Sequence, residues 1–291
     1  MKNYLKDFFL EFGFESEDTD YLLSSYARIA ENKKACAVWE KMLSMYDENI
    51  ECDYIKMLRM ADEIAEIVYL HEYTVEFLMY VAMSRRLKAR YLERGLSMDI
   101  YSDTVADLKY KFEECKLVRG ICGLFSDVWS IDFFKMLRFG LGRLQFEINP
   151  LGYDYERDGV RLNKESRVIN IHIPRTKTPL TPESCDEACE MAKEFFKGQY
   201  DEPCAFVCHS WLLYPENENI IPRHTNTYKF FGRFEIIDSG TSRENKDLWR
   251  LFDTDEKNYQ RLPADSSFRR AYVEHLKNGG KTGWGMGIFF F

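Results

Sequence analysis

His209, His172 and Glu147 are the side chains of this sequence best suited to moving protons, because each stands in a run that reads as a strand. In Arg143-Leu144-Gln145-Phe146-Glu147-Ile148, the residues Arg143, Gln145 and Glu147 share one face of a strand. In Val168-Ile169-Asn170-Ile171-His172-Ile173, Asn170 and His172 do the same. Along a third run, Ala205 to Leu213, His209 falls in step with Val207 and Trp211. Successive side chains of a strand point to opposite faces, so these groups interrupt an otherwise apolar sheet on chosen sides. Each has a plainer reading as well. Arg143, Gln145 and Glu147 suit the wetted face of an edge strand, and His209 suits a core histidine beside Trp211.

Other patterns that imitate chemistry fail on local grounds. Gly280-Lys281-Thr282 copies the end of a phosphate-binding P-loop, but His275 stands where the leading glycine belongs, and a helix precedes it instead of a strand. Cys204, Cys208 and His209, or Cys185 and Cys189, suggest a metal cluster. Their spacing lacks the paired short-spaced ligands of structural zinc, so buried free thiols and no metal are expected. Cys208 and His209 cannot act as nucleophile and base together, since strand neighbours face opposite ways. A thiol hydrolase using Cys204 or Cys208 would need a histidine from elsewhere. Arg85, Arg86, Lys88, Arg90 and Arg94 crowd the end of one predicted helix, where the helix dipole alone favours cations over any need for an anion site.

The elements that must carry these groups differ between the two parts of the chain. Proline is absent from Asn3 to Leu137, and apolar residues recur there at three and four spacing, which predicts successive helices. Between Asp53 and Leu70, Ile55, Leu58, Ala61, Ala65 and Val68 form one stripe opposite Lys56, Arg59, Glu63 and Glu66. Tyr73 to Arg94 is apolar nearly all round at first and should run through a bundle centre until Gly95. A further helix is expected from Ser102 or Asp103, with Val105, Leu108, Phe112 and Cys115 inward and Gly120 and Gly123 at its end. The period changes after Gly140-Leu141-Gly142, which places a boundary near 138. Asp158-Gly159 signals a hairpin, Thr181-Pro182-Glu183 opens a helix reaching about Lys197, and Tyr228 to Ile237 reads as a strand. Ser266 to Lys277 reads as the last helix and Trp284 to Phe291 as a closing strand.

Length and charge narrow the function. The 291 residues suit two domains, and 45% apolar with 30% charged residues describes a folded globular chain. Forty Lys and Arg against 48 Asp and Glu give a net charge of -8, which provides no general support for nucleic-acid binding. The opening Met1-Lys2-Asn3-Tyr4-Leu5-Lys6-Asp7 has no signal-like apolar region, and the richest apolar stretch, Gly120 to Gly142, is broken by charges. No membrane association, and a cytoplasmic setting that keeps eight cysteines without CxxC pairs reduced, are the expectations.

Leu137-Arg138-Phe139-Gly140-Leu141-Gly142-Arg143-Leu144-Gln145-Phe146-Glu147, Ile171-His172-Ile173-Pro174, Cys208-His209-Ser210-Trp211-Leu212-Leu213 and Gly283-Trp284-Gly285-Met286-Gly287 together resemble a bacterial family of acyltransferases. That family joins a helical N-acyltransferase N-terminal domain to a GNAT-like C-terminal domain. The resemblance covers nearly the whole chain and is strongest from about Asp103 onward. It implies an α+β protein, with a helical domain over 1–138 and a GNAT-like mixed α/β domain over 139–291. It also implies transfer of an acyl group from acetyl-CoA or another acyl-CoA to the amine of a small acceptor.

In GNAT folds two neighbouring parallel strands splay around the pantetheine, and N–H groups at a following helix N-terminus hold the pyrophosphate. The matching unit here is strand 168–173, loop 174–180 and the helix opening at Thr181. The resemblance thus implies cofactor binding by Arg175, Lys177 and Thr181, acid-base work by His209, Glu147 and His172, and acceptor contacts from Arg143, Gln145 and Trp211. The loop departs from the family's Gln/Arg-x-x-Gly-x-Gly/Ala signature, since no glycine occurs from Val160 to Lys197, and Pro179 and Pro182 remove two N–H donors. An alternative therefore stands beside catalysis: a degenerate GNAT-like module that binds a ligand or partner without turnover.

Overall fold

A computed structural model describes residues 1–243 and 247–291, and the chain divides into two compact units, Met1–Gly140 and Leu141–Phe291.

The first unit is built of helices α1 (Lys2–Glu11), α2 (Ser16–Glu31), α3 (Lys33–Glu48), α4 (Tyr54–Val68), α5 (Glu72–Glu93), α6 (Met98–Arg119) and the single turn α7 (Ile131–Phe134). Side chains fix where they begin. Asn32 caps α3 by accepting from the amides of Lys34 and Ala35, and Asp53 caps α4 through Lys56. Ser97 caps α6, so that helix starts several residues ahead of the Ser102 or Asp103 expected from the sequence; Gly120 closes it with φ +72°. Helix α5 is buried without a break from Thr74 to Ser84, as its all-round apolarity requires. Two of its polar members are answered locally: Thr74 Oγ1 donates to the Cys122 carbonyl at 2.8 Å, and Ser84 meets the Tyr4 hydroxyl at 2.7 Å. On α4 the buried stripe takes in Met57 and Ile64, while Ile55, expected inward, is exposed. The basic end of α5 is partly structural. Arg90 is buried, with Nη2 donating to the Tyr46 carbonyl at 2.5 Å and its guanidinium 4.2 Å above the Tyr46 ring.

The second unit carries a mixed sheet with a crossover helix. Its elements are β1 (Arg138–Leu141, which spans the boundary), β2 (Leu144–Pro150), β3 (Tyr155–Arg157), β4 (Val160–Leu162), β5 (Arg167–His172), α8 (Pro182–Phe195), β6 (Ala205–Ser210), α9 (Asn217–Ile220), α10 (Asn226–Phe231), β7 (Glu235–Thr241), α11 (Leu248–Phe252), α12 (Ser267–Lys277) and β8 (Gly283–Phe290). The order is β1-β2-β5-β6-β8-β7, and β3 pairs with β4 as a separate hairpin around Asp158 (φ 52°) and Gly159 (φ 83°). Strands β5 and β6 are parallel, which requires the crossover that α8 supplies; β2 with β5, β6 with β8 and β7 with β8 are antiparallel.

Two sheet faces result. One carries Phe146, Ile169, Ile171, Phe206 and Phe289, with Phe206 stacked on Phe289 at 5.3 Å between centroids. The other buries Val168, Ala205, Val207, Met286 and Ile288 beneath Leu151, Leu162 and Tyr153 from the hairpin region. A further apolar cluster gathers Leu248, Phe252, Leu262, Tyr272 and Leu276 around α11 and α12.

Three strand expectations need correction. The third run ends as a strand at Ser210, whose hydroxyl accepts from the Leu212 amide and starts a 3-10 turn over Trp211–Leu213. Tyr228 to Phe231 is helical, because Thr225 caps α10 and helical spacing buries Phe230 and Phe231; β7 begins only at Glu235. Strand β8 lies inside the sheet, between β6 and β7, instead of closing its edge.

Candidate active site

Register places Gln145 opposite His172, Glu147 opposite Asn170, and Asn170 beside Val207, so these side chains share a sheet face with Val207 and His209. The ladder between β5 and β6 pairs Ile169 with Phe206 and Asn170 with Val207. Beyond it β5 runs on to His172 and β6 to Ser210, which puts His172 and His209 at the carboxyl ends of the parallel pair.

Glu147 is the centre of the polar group. Its Oε1 accepts from Asn149 Nδ2 at 2.9 Å and Asn170 Nδ2 at 3.0 Å, and it lies 2.8 Å from His172 Nε2. Three N–H partners on one oxygen suit an ionised carboxylate. They also orient the imidazole: when Nε2–H is donated to Glu147, the lone pair is on Nδ1. Both side chains are mostly covered, with 17% of His172 and 10% of Glu147 exposed. This is a carboxylate–histidine pair held from strand positions, which is rigid support for proton transfer.

His209 is exposed at the end of β6, and its ring packs at 4.7 Å against Trp284 of β8. The same row continues through Met286 of β8 to Asp238 of β7. A β-bulge between Ile236 and Asp238 turns the Asp238 carboxylate to this face. There Asp238 Oδ2 accepts from the Tyr153 hydroxyl at 2.9 Å, and that hydrogen bond, together with burial, raises the Tyr153 pKa. Gly240 lets the indole lie flat, since a Cβ there would come within 2.8 Å of Trp284 Cε2, Cζ2 and Nε1.

Of the remaining predicted residues, Gln145 stays beside the Glu147 group and the others lie apart from it. Arg143 lies in the turn before β2 and braces the following loop, donating from Nε to the Thr178 carbonyl at 2.9 Å and from Nη1 to the Pro174 carbonyl at 3.2 Å. Gln145 is buried beside His172. Trp211 leaves the strand and stacks 6.5 Å from Phe268 in the α11–α12 cluster, away from the row of His209.

Thr181 caps α8 by accepting from the Ser184 amide at 3.1 Å. In the loop before it, the Thr176 amide is bonded to Pro174 and the Thr178 amide to Thr176 Oγ1. Arg175 pairs with Asp253, which Arg269 Nη2 also engages at 2.5 Å, while Lys177 is exposed. Arg269 also meets Asp265 at 2.9 Å, so the two guanidiniums face two carboxylates, and with the loop amides spent internally any phosphate here would be met by side-chain charge more than by amides.

The thiols are poor nucleophiles: burial pushes Cys208 up to about 12 and Cys204 to about 11. Among the described residues no group of His, Cys, Asp and Glu could hold a metal ion. Gly280 follows α12 and packs on His275, as a helix end and not a P-loop. Asn149 and Asp238 escaped the sequence reading. Asn149 follows Glu147 at the same-face spacing and was legible in principle, whereas Asp238 depends on a bulge that no residue pattern announces.

The model of the GNAT-like C-terminal domain matches residues 138–289, and that of the N-acyltransferase N-terminal domain matches residues 3–136. No curated protein matches the chain. Among solved structures, an acyltransferase in complex with CoA and 10C-teicoplanin aligns with a TM-score of 0.75 at 19% identity, covering 98% of this chain and 86% of that one. An acyltransferase variant in complex with octanoyl-CoA gives 0.75 at 20% identity over 99% and 88%. A third, in complex with decanoyl-CoA, gives 0.74 at 18% over 98% and 86%. At these identities the likeness is one of fold. No helix among the described residues is long and apolar enough to cross a membrane.

Proposed function

Since the chain belongs to the GNAT-like C-terminal domain family and carries the N-acyltransferase N-terminal domain before it, we propose that it moves an acyl group from acyl-CoA to the amine of a small acceptor. The observation that carries the reading is the Glu147-bound His172 at the carboxyl end of the β5–β6 pair, with His209 on the neighbouring strand. The acceptor gives up a proton to a base, His172 at Nδ1 or His209, and the neutral nitrogen attacks the thioester carbonyl. The C–N bond forms, the C–S bond breaks, and the departing thiolate takes up a proton. Glu147, Asn149 and Asn170 are positioning residues that fix the imidazole. Arg175 and Lys177, at the start of the crossover loop, are the cations suited to the pyrophosphate. The solved acyltransferases of this fold hold CoA, octanoyl-CoA or decanoyl-CoA, which makes medium-chain thioesters donors to try beside acetyl-CoA.

The test is product formation, read by mass spectrometry, from acetyl-, octanoyl- and decanoyl-CoA with a panel of amines. His172→Gln and Glu147→Gln should each lower turnover by roughly a hundredfold while leaving thioester affinity unchanged. Wild-type turnover in both variants refutes the assignment of His172 as the base. One observation favours a second reading, a binding module without catalysis: the loop amides at Thr176, Thr178 and Ser184 are spent internally and Arg175 is paired. That reading predicts no thioester consumption with any acceptor.

A further inference from the structure

On the sheet face that carries His209, the next strands present a flat aromatic surface and a carboxylate that has no countercharge among the described residues. Register aligns His209, Met286 and Asp238 across β6, β8 and β7, with Trp284 one same-face step further along β8. Met286 is buried and forms the floor; His209, Trp284 and Asp238 are each accessible at least in part. Two local devices build this arrangement. The bulge at Ile236/Asp238 brings the carboxylate to the face, and the missing side chain at Gly240 lets the indole lie down beside it.

Charge separates Asp238 from its neighbour. Glu235 on the same strand is neutralised by Arg157 Nη1 at 2.6 Å and accepts from the Tyr155 hydroxyl. Asp238 receives neutral donors, the Tyr153 hydroxyl at 2.9 Å and the Ser239 amide at 2.8 Å, and no cation pairs with it among the described residues. A carboxylate with two neutral donors retains acceptor capacity, and beside an indole face it favours an ammonium group with an apolar, planar body.

We propose that Asp238, Trp284 and His209 form an acceptor subsite that selects a cationic amine carried on a flat apolar group. The proposal names the acceptor class for the transfer described above and rests on that reading for its chemistry. Asp238 holds the ammonium, Trp284 packs on the ring or stacks against the charge, and His209 stands at the same row where the proton must leave.

The experiment titrates the full chain calorimetrically with 2-phenylethylamine, with butylamine and with neutral 2-phenylethanol at pH 7.5, independently of turnover. Wild type should prefer 2-phenylethylamine over both analogues. Asp238→Asn and Trp284→Ala should each weaken it about tenfold or more, Trp284→Phe should restore part of the loss, and Tyr153→Phe, which leaves the carboxylate in place, should bind within about threefold of wild type. In turnover with octanoyl-CoA, Asp238→Asn should raise the amine KM and leave the octanoyl-CoA affinity alone. Unchanged amine binding in folded Asp238→Asn and Trp284→Ala, or equal binding of 2-phenylethanol, overturns the subsite. Binding of the amine without thioester consumption keeps the subsite and refutes acyl transfer; consumption with an amine KM indifferent to both residues does the reverse.

Discussion

Replacing Glu76 by Gln should stabilise the protein at neutral pH and leave it unchanged in acid. Glu76 lies on α5 at 5% exposure, and its Oε2 is buried without a hydrogen-bond partner. Burial, reinforced by the carboxylates of Asp127, Asp62 and Glu72, raises its pKa from the ordinary 4.5 to about 8. Below pH 4.5 the folded and unfolded chains both hold the proton. Between 4.5 and 8 only the folded chain does, so stability falls as pH rises, and above 8 the dependence from this group ends. The window of 8 minus 4.5 corresponds to about 5 kcal/mol, of which about 3 kcal/mol has been lost by pH 7. Glutamine keeps the volume and the donor of the protonated acid but carries no such dependence. Urea unfolding at pH 4.5, 6 and 7.5 should therefore show Glu76→Gln nearly equal to wild type in acid and more stable by about 4 kcal/mol at pH 7.5. Asp62, whose own pKa is raised and which shares a hydrogen bond with Glu76, is coupled to it, so the difference reads the pair. A variant that is no more stable at pH 7.5 than at pH 4.5, relative to wild type, refutes the assignment of a buried, protonated glutamate.

Arg175→Ala with Lys177→Ala should weaken CoA binding about tenfold in calorimetry, since charge is what the crossover loop offers a phosphate; equal affinity would place the pyrophosphate elsewhere. Cys208 and Cys204 should resist iodoacetamide at pH 8 in the folded protein and react once it is unfolded, as peptide mass spectrometry reads out, because burial holds both thiols protonated. Gly240→Ala should cost about 1 to 3 kcal/mol and shift tryptophan fluorescence, because the added methyl displaces the Trp284 indole; an unchanged spectrum would show that the indole does not rest there.

How far the sequence carried depends on the range of the forces involved. Patterns settled within one element were readable: the apolar girth of α5, the Asp158-Gly159 turn, and the Thr181 cap with Pro182 after it all stand where local chemistry put them. Alternation also paired Gln145 with Glu147 on one face of β2 and Asn170 with His172 on one face of β5, but the sequence says nothing of register, and it is register that joins the two faces and brings Glu147 within 2.8 Å of His172. Competing short-range bonds defeated the rest. Ser210 ended a strand at its own hydroxyl, and Thr225 converted an aromatic strand-like run into a helix. Arg143 and Arg175 look like ligand contacts by type, yet one braces a loop and the other meets a carboxylate 78 residues away, a partner that only the folded chain supplies.

The interior place of β8 has a kinetic meaning. His209 on β6 and Asp238 on β7 become neighbours only through a strand that follows both in the chain. Until it arrives, β6 and β7 each present an open edge, and neither the aromatic platform nor the row across it exists. Contacts so distant in sequence form slowly, so the acceptor face should be among the last parts of this unit to mature, well after the helices of the first unit have gained their local bonds. A refolding experiment that follows Trp284 would then report the birth of the site separately from the collapse of the core.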